Sequence, residues 1–426
     1  MNDEMKNGKK RRPHPALEKV HPESLMMSYG YNPAWSEGSI KPPIFQTSTF
    51  AFKSAEEGKE FFSWAYGLAE RDPAKPMGLI YSRLNNPNLE ILEERLNLWD
   101  RAEAGAVFSS GMAAISTSVL ASVPLGSSVV YSEPVYGGTD YLMEHILPSM
   151  GIPTRCFHAG AGADAVEPLL LELAAQGHPC RMLYLETPAN PTIVSTDIAA
   201  MAEVAHRHDA ICAVDNTLLG PLYQHPLEHG ADLILYSATK YLGGHSDVVA
   251  GAALGSEELI GPIKMLRTIF GNMLEPYSAW LLLRSLETAK LRMTCSRKNT
   301  EAVAEWLSRH PKVSRVFYPG YMDDAEQQRI CDQQHEGGGA LLSFELTEGS
   351  EEAAFRFLNA VRLAHLAVSL GANETLVQHP ASMTHSDVPP ERQREIGITP
   401  SMVRVAIGIE HPDDLIADFE QALEKV

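Results

Sequence analysis

From Gly105 onward the chain alternates short apolar runs with longer stretches of helical period. The β-rich runs Ala106 to Phe108, Val129 to Tyr131, Met182 to Leu185, Ile211 to Val214 and Leu233 to Tyr236 predict strands buried on both faces. Between them, Asn88 to Arg101 places Leu89, Leu92, Leu96 and Trp99 three or four residues apart, and Thr196 to His206 does the same with Ile198, Met201, Val204 and Ala205. That spacing predicts amphipathic helices covering a sheet. Strands separated by helical lengths predict βα units and a parallel sheet, whose chemistry collects at the C-terminal ends of the strands.

Beyond about Pro276 the pattern changes to a long helix through Ala279, Leu282, Leu283 and Leu286, followed by strands near Leu341 to Phe344 and Val403 to Ile407 mixed with helices. A smaller C-terminal α/β domain is expected there. The first 75 or so residues lack a sustained period and contain Pro42, Pro43 and Pro73, with Pro76 just beyond. They read as an extended arm or lid packing on another subunit. There is no internal repeat and no low-complexity tract.

Composition narrows the class of function. The 426 residues amount to about three domain-sized units on a soft prior. With 44% hydrophobic and 21% charged residues they suit a globular protein, neither disordered nor fibrous. A net charge of −19 argues against attraction to nucleic acid or anionic lipid and for a small-molecule partner. Ala104 to Ser132 carries no charge, but its serines, Gly111, Pro124 and Gly126 argue for a buried strand and helix rather than a bilayer span, so no membrane partner is expected. Five widely spaced cysteines, without a Cys-x-x-Cys pair, suit a reducing compartment. The basic N-terminus (Lys9, Lys10, Arg11, Arg12) leads into Pro13-His14-Pro15 and no apolar run, so residues 1 to about 20 are expected to be a solvated tail without a secretory signal, and the residence cytoplasmic.

Candidate chemistry sits where the strands end. Ser237-Ala238-Thr239-Lys240 follows the run Leu233 to Tyr236, and a lysine flanked by two hydroxyls suits imine formation beside an anchored phosphate. A surface lysine after a strand fits these four residues equally well. Asp215, ending another buried strand, can keep a pyridine nitrogen protonated, although such an Asp also suits a helix cap. Ser110-Gly111-Met112 opens a helical run after a strand, where free amides and the positive dipole end bind phosphate; ordinary strand-to-helix turns use Ser-Gly too. Tyr136 offers a ring for stacking and proton transfer, or a buried structural tyrosine. His379 and His385 lack a third ligand at suitable spacing, so no metal site is assigned.

Taken in order, Ser110, Tyr136, Asn190, Asp215 and Lys240, together with Tyr81-Ser82-Arg83, Glu186-Thr187-Pro188-Ala189-Asn190-Pro191 and Ser369-Leu370-Gly371, resemble the cysteine/methionine-metabolism family of pyridoxal phosphate enzymes. The likeness runs from about Ser39 to near the end of the chain. It implies the α/β, aspartate-aminotransferase-like (type I) fold, with 1–75 as tail and arm, 76–276 as the pyridoxal phosphate-binding domain and 277–426 as the C-terminal domain. It implies Lys240 as the Schiff-base lysine, Asp215 as the pyridinium partner and Tyr136 as the stacked ring. Ser110, Gly111, Met112, Ser237 and Thr239 would bind the phosphate. Tyr81 and Arg83 would reach the phosphate of a neighbouring subunit, in a homotetramer built from catalytic dimers. Arg404 would take the substrate carboxylate, assisted by Ser369 and Asn190.

The resemblance implies γ-elimination on a γ-substituted L-amino acid: methionine, homocysteine or an O-substituted homoserine analogue such as canavanine. Cystathionine γ-synthase-type replacement on O-acylhomoserine, and cystathionine γ- or β-lysis, remain the alternatives. The segment Glu374 to Ser386 is most similar to the methionine γ-lyases, whereas Gly138 stands where those carry a cysteine and Arg267-Thr268 where they carry a Lys-Asp pair. Ala372-Asn373 and extra residues around Tyr66 to Met77 are expected to reshape the substrate entrance. Glu275 is a candidate to face a cationic γ-substituent, against the plainer reading of a solvent-facing Glu.

Overall fold

A computed structural model describes residues 20–70, 78–322 and 324–426. The expected N-terminal tail, Pro73, Pro76 and most of the extra segment before Tyr81 lie outside the described residues.

Seven strands form the larger sheet: β1 (Ala104–Phe108), β2 (Ser128–Glu133), β3 (Thr154–His158), β4 (Cys180–Glu186), β5 (Ile211–Asp215), β6 (Leu233–Tyr236) and β7 (Gly251–Gly255), in the order β1-β7-β6-β5-β4-β2-β3. All run parallel except β7, which is antiparallel to both neighbours. The five expected strands are present. The sequence pattern did not disclose β3, whose exposed Arg155 and His158 break up the apolar run, or β7, whose Gly-Ala-Ala-Leu-Gly has little β propensity.

Alternation along each strand sends side chains to opposite faces. On β5, Cys212 and Val214 pack against Ala163–Ala175 and Ile198–Arg207, while Ala213 joins Tyr131, Tyr184 and Leu235 on the other side. Helix Pro87–Asp100, capped by Asn86, and helix Pro276–Leu286 bury Leu89, Leu92, Leu96, Leu282 and Leu286 around Val107 and Ile234. Asp197 caps Ile198–Arg207 through Ala200 N, which starts that helix two residues later than the apolar pattern predicts.

The second sheet joins β8 (Val313–Phe317), β9 (Leu341–Leu346), β10 (His365–Leu366), β11 (Leu376–Gln378) and β12 (Met402–Ala406) in the order β10-β11-β12-β9-β8. Helices Ala289–Leu307, Glu351–Ala360 and Pro412–Leu423 close its core around Leu342, Phe344, Val403 and Val405. A further apolar cluster, including Tyr241, Leu341, Leu370 and Met402, seats this sheet beside the end of β6. The arm is not entirely aperiodic, because Ala55–Ala65 is a helix. Its start was legible in Ser54, whose hydroxyl caps Glu57 N, but Gly58 and a run of aromatics hide the period. Among the described residues no helix is long and apolar enough to cross a membrane.

Candidate active site

Lys240 follows β6 in a half-buried position, and its Nζ donates to Ser369 Oγ at 2.7 Å. Ser369 has φ of 99°, a left-handed conformation unusual for a side-chain-bearing residue. Two residues on, Gly371 brings its backbone so close that an added Cβ would stand 2.6 Å from Tyr241 N and 2.9 Å from the Lys240 carbonyl carbon. The loop that carries Ser369 is therefore pressed onto the lysine's own backbone. Burial, reinforced by the positive charge of Arg404, lowers the Lys240 ammonium to about 8.

Arg404 sits mid-strand on β12, paired with Gln378 of β11 and Ser343 of β9. It is 2% exposed. Its guanidinium donates to Asn190 Oδ1 at 3.1 Å and to Ser369 O at 2.6 Å, and Gln378, with its amide oxygen turned inward, accepts from Nε at 3.1 Å. All three acceptors are neutral. Among the described residues no carboxylate forms an ion pair with Arg404, so the buried cation rests on neutral oxygens, and burial lowers it to about 10. A site of that kind recruits an anion, and the planar fork selects a carboxylate.

Asp215 ends β5 directly opposite Glu186 of β4. Asp215 Oδ1 accepts from Thr217 N at 3.0 Å and Oδ2 from the Tyr184 hydroxyl at 3.3 Å. Burial raises its pKa against the pull of those donors. Thr217 continues the connection, its hydroxyl accepting from Ser237 N at 2.8 Å. Ser237 lies against the first turn of helix Gly111–Ser122: a Cβ on Gly111 would stand 2.9 Å from Ser237 Cβ. Ser110 caps that helix through Ala113 N, leaving the amides of Gly111 and Met112 without helical acceptors. The Ser237 hydroxyl has no partner among the described residues. Thr239 differs, because its hydroxyl donates to Ala250 O at 3.1 Å and accepts from Ala250 N at 2.9 Å, so it must turn to hold another oxygen.

Tyr136 is 49% exposed in the turn after β2, and its backbone N donates to Glu186 Oε2 at 2.7 Å. Tyr81 and Arg83 are not brought to this cluster. Both are exposed; Tyr81 bridges to Thr49, and Arg83 donates to Thr268 O at 2.9 Å on helix Glu257–Phe270. Glu275 is committed elsewhere, since its carboxylate caps Tyr277 N and Ser278 N at the start of Pro276–Leu286. Arg267 is buried on Glu93 and Val107 O. His379 contacts Ser382 Oγ and Pro400 O through its two nitrogens, and among the described residues no group of three or more His, Cys, Asp or Glu could hold a metal. Glu186 opens the Glu186 to Pro191 motif and Gln378 lies in the Glu374 to Ser386 segment, but neither they nor Tyr184 were given a role from sequence. Glu186 and Tyr184 face the same side as Asp215 through a register no linear motif displays.

The model of the Cys/Met metabolism PLP-dependent enzyme family matches residues 23–424. The chain belongs to this family. It is 39% identical over 398 residues to the L-methionine gamma-lyase of Pseudomonas putida, covering 93% of this chain and 95% of that protein. It is 36% identical to the cystathionine gamma-lyase of Bacillus subtilis over 95% of this chain and 99% of the relative. Among solved structures, the cystathionine gamma-lyase of Lactobacillus plantarum complexed with L-serine superposes with a TM-score of 0.84 at 32% identity, covering 96% and 99% of the two chains.

The groups gathered here fit pyridoxal phosphate, the cofactor of the family. Unsatisfied amides at Gly111 and Met112 and the free hydroxyl of Ser237 suit a phosphate. The buried Asp215 suits a protonated pyridine nitrogen, and the lowered ammonium of Lys240 suits an aldehyde.

Proposed function

We propose that the chain is a γ-lyase releasing the γ-substituent of an L-amino acid: methionine, homocysteine or an O-substituted homoserine such as canavanine. The observation that carries this reading is Arg404, a buried cation without a carboxylate partner, joined through Ser369 to the amine of Lys240. An α-amino acid presents both a carboxylate and an amine, and the relatives named as lyases supply the reaction class.

When bound, pyridoxal phosphate provides the electron sink for carbanion chemistry. Arg404, steadied by Asn190 and Gln378, holds the substrate carboxylate. Lys240 Nζ, as a free amine, would take up the Cα proton and return a proton to the carbon skeleton. The Tyr136 oxygen, half exposed, would take a proton from the incoming amine as phenolate and, as the resulting phenol, donate it to the leaving group. Ser110, Gly111, Met112, Ser237 and Thr239 hold the phosphate. For methionine the balance is methionine plus water giving 2-oxobutanoate, methanethiol and ammonia.

We further place Tyr81 and Arg83 at the phosphate of a neighbouring subunit, in a homotetramer of catalytic dimers. Their exposure, and that of Ile40, Ile44 and Phe52 along the arm, supports this. Five free cysteines accord with the cytoplasm. The test is release of 2-oxo acid and leaving group from methionine, homocysteine, cystathionine, canavanine and O-acyl homoserines, with and without cysteine. Product without a thiol is expected; product appearing only with cysteine, as cystathionine, would make the enzyme a γ-synthase.

A further inference from the structure

Glu186 is 2% exposed at the end of β4, anchored by its own N–H on Ser132 Oγ at 3.0 Å. Its two carboxylate oxygens reach in different directions. Oε2 accepts from Tyr136 N at 2.7 Å, and Oε1 accepts from Asn190 N at 3.3 Å. Tyr136 opens the turn that presents the ring; Asn190 presents the amide oxygen on which Arg404 rests. One side chain therefore fixes two loops, the one after β2 and the one after β4.

The position is costly for an acid. Glu186 faces Asp215 across the β4–β5 register, and burial together with that neighbour raises its carboxyl, while the two amides and Arg404 pull the other way. It makes no ion pair with Arg404 and reaches it by hydrogen bonds only through Asn190. The guanidinium's own donors stay on neutral oxygens, which a direct Glu–Arg pair would prevent.

We propose that Glu186 is a positioning residue that sets the Tyr136 ring and the Asn190–Arg404 pair in one register, so that cofactor and substrate carboxylate are held to a common frame. This rests on the reading that Tyr136 stacks on pyridoxal phosphate and Arg404 takes the carboxylate. Two ligands separate the two ends of the frame. Pyridoxal phosphate added to the apoenzyme reports on Tyr136. Glycine added to the holoenzyme, followed by the change in visible absorbance, reports on Asn190 and Arg404 without any γ-chemistry.

In Glu186→Gln one acceptor becomes a donor facing an N–H, and both affinities are expected to fall about tenfold. In the double variant Glu186→Gln/Asn190→Ala, glycine binding should fall no more than about twofold below that of Asn190→Ala alone, because the route to Arg404 is already cut. Glu186→Asp keeps the charge but cannot span both amides, and should show the same double loss if Glu186→Gln does not fold. Unchanged affinities in Glu186→Gln or Glu186→Asp, or losses that multiply in the double variant, overturn the proposal. Unchanged glycine binding in Asn190→Ala overturns the carboxylate site itself, whereas a weakened Asn190→Ala beside an unchanged Glu186→Gln overturns the role of Glu186 alone.

Discussion

Lys240 shows how a single residue acquires its reactivity from its surroundings. The same burial that packs it under the Ser369 loop removes water from its ammonium, and Arg404 adds repulsion, so the group is lowered from 10.5 to about 8. Only the neutral amine attacks an aldehyde. Covalent capture of pyridoxal phosphate by the apoenzyme should therefore quicken with rising pH and level off above about 8. A stopped-flow record of the growing visible band checks this; a rate still climbing at pH 10 (roughly where a solvated lysine titrates) would contradict it. Lys240 and Asp215 were legible in sequence because each stands at the end of a short apolar run where a charged residue is conspicuous, whereas Arg404, between β-branched residues, was assigned only through the family resemblance. Glu186, Tyr184 and Gln378 received no role from sequence, since each acts across a strand register: Glu186 and Tyr184 upon Asp215, Gln378 upon Arg404.

Elements place these residues through close backbone contact as much as through side chains. Strand β7 passes directly beneath the Ser110-Gly111 turn, and a Cβ on Gly251 would overlap Ser110 O and stand 2.9 Å from Gly111 Cα. Gly251→Ala must displace that turn, with a stability cost of about 1–3 kcal/mol for overpacking and a weaker grip on the phosphate. Calorimetric unfolding and a pyridoxal phosphate titration should both move. Gly261→Ala is the matching control: Gly261 lies inside helix Glu257–Phe270 with nothing within 4 Å of an added Cβ, so it should be neutral or stabilising by about 0.5–1 kcal/mol. Equal cofactor affinity in the two variants would contradict the account. The same small residues that let β7 fit under the turn made it unreadable as a strand. The other parallel strands were readable because burial leaves them nearly uniformly apolar, whereas the edge strand β3 exposes Arg155 and His158.

At the scale of the whole molecule, the sequence disclosed the large sheet and a separate C-terminal sheet, but the arm only as a proline-bearing stretch without period. Its conformation depends on contacts that local pattern does not encode, and much of its apolar surface is exposed in the single chain. If Arg83 serves the neighbouring subunit, Arg83→Ala and Lys240→Ala enzymes, each inactive alone, should regain activity when dissociated and reassembled together. Random mixing yields half hybrid dimers with one intact site each, hence about a quarter of wild-type turnover. No recovery, with hybrids demonstrated by native mass spectrometry, would place Arg83 outside a shared site.

The account turns on one claim, that the chemistry is carried out at Lys240. Borohydride reduction of the holoenzyme, followed by proteolysis and mass spectrometry, tests it most directly. The account predicts a single pyridoxyl adduct on the peptide containing Lys240, and neither adduct nor visible band in Lys240→Ala. An adduct on a different lysine, or a visible band and turnover surviving in Lys240→Ala, would contradict it.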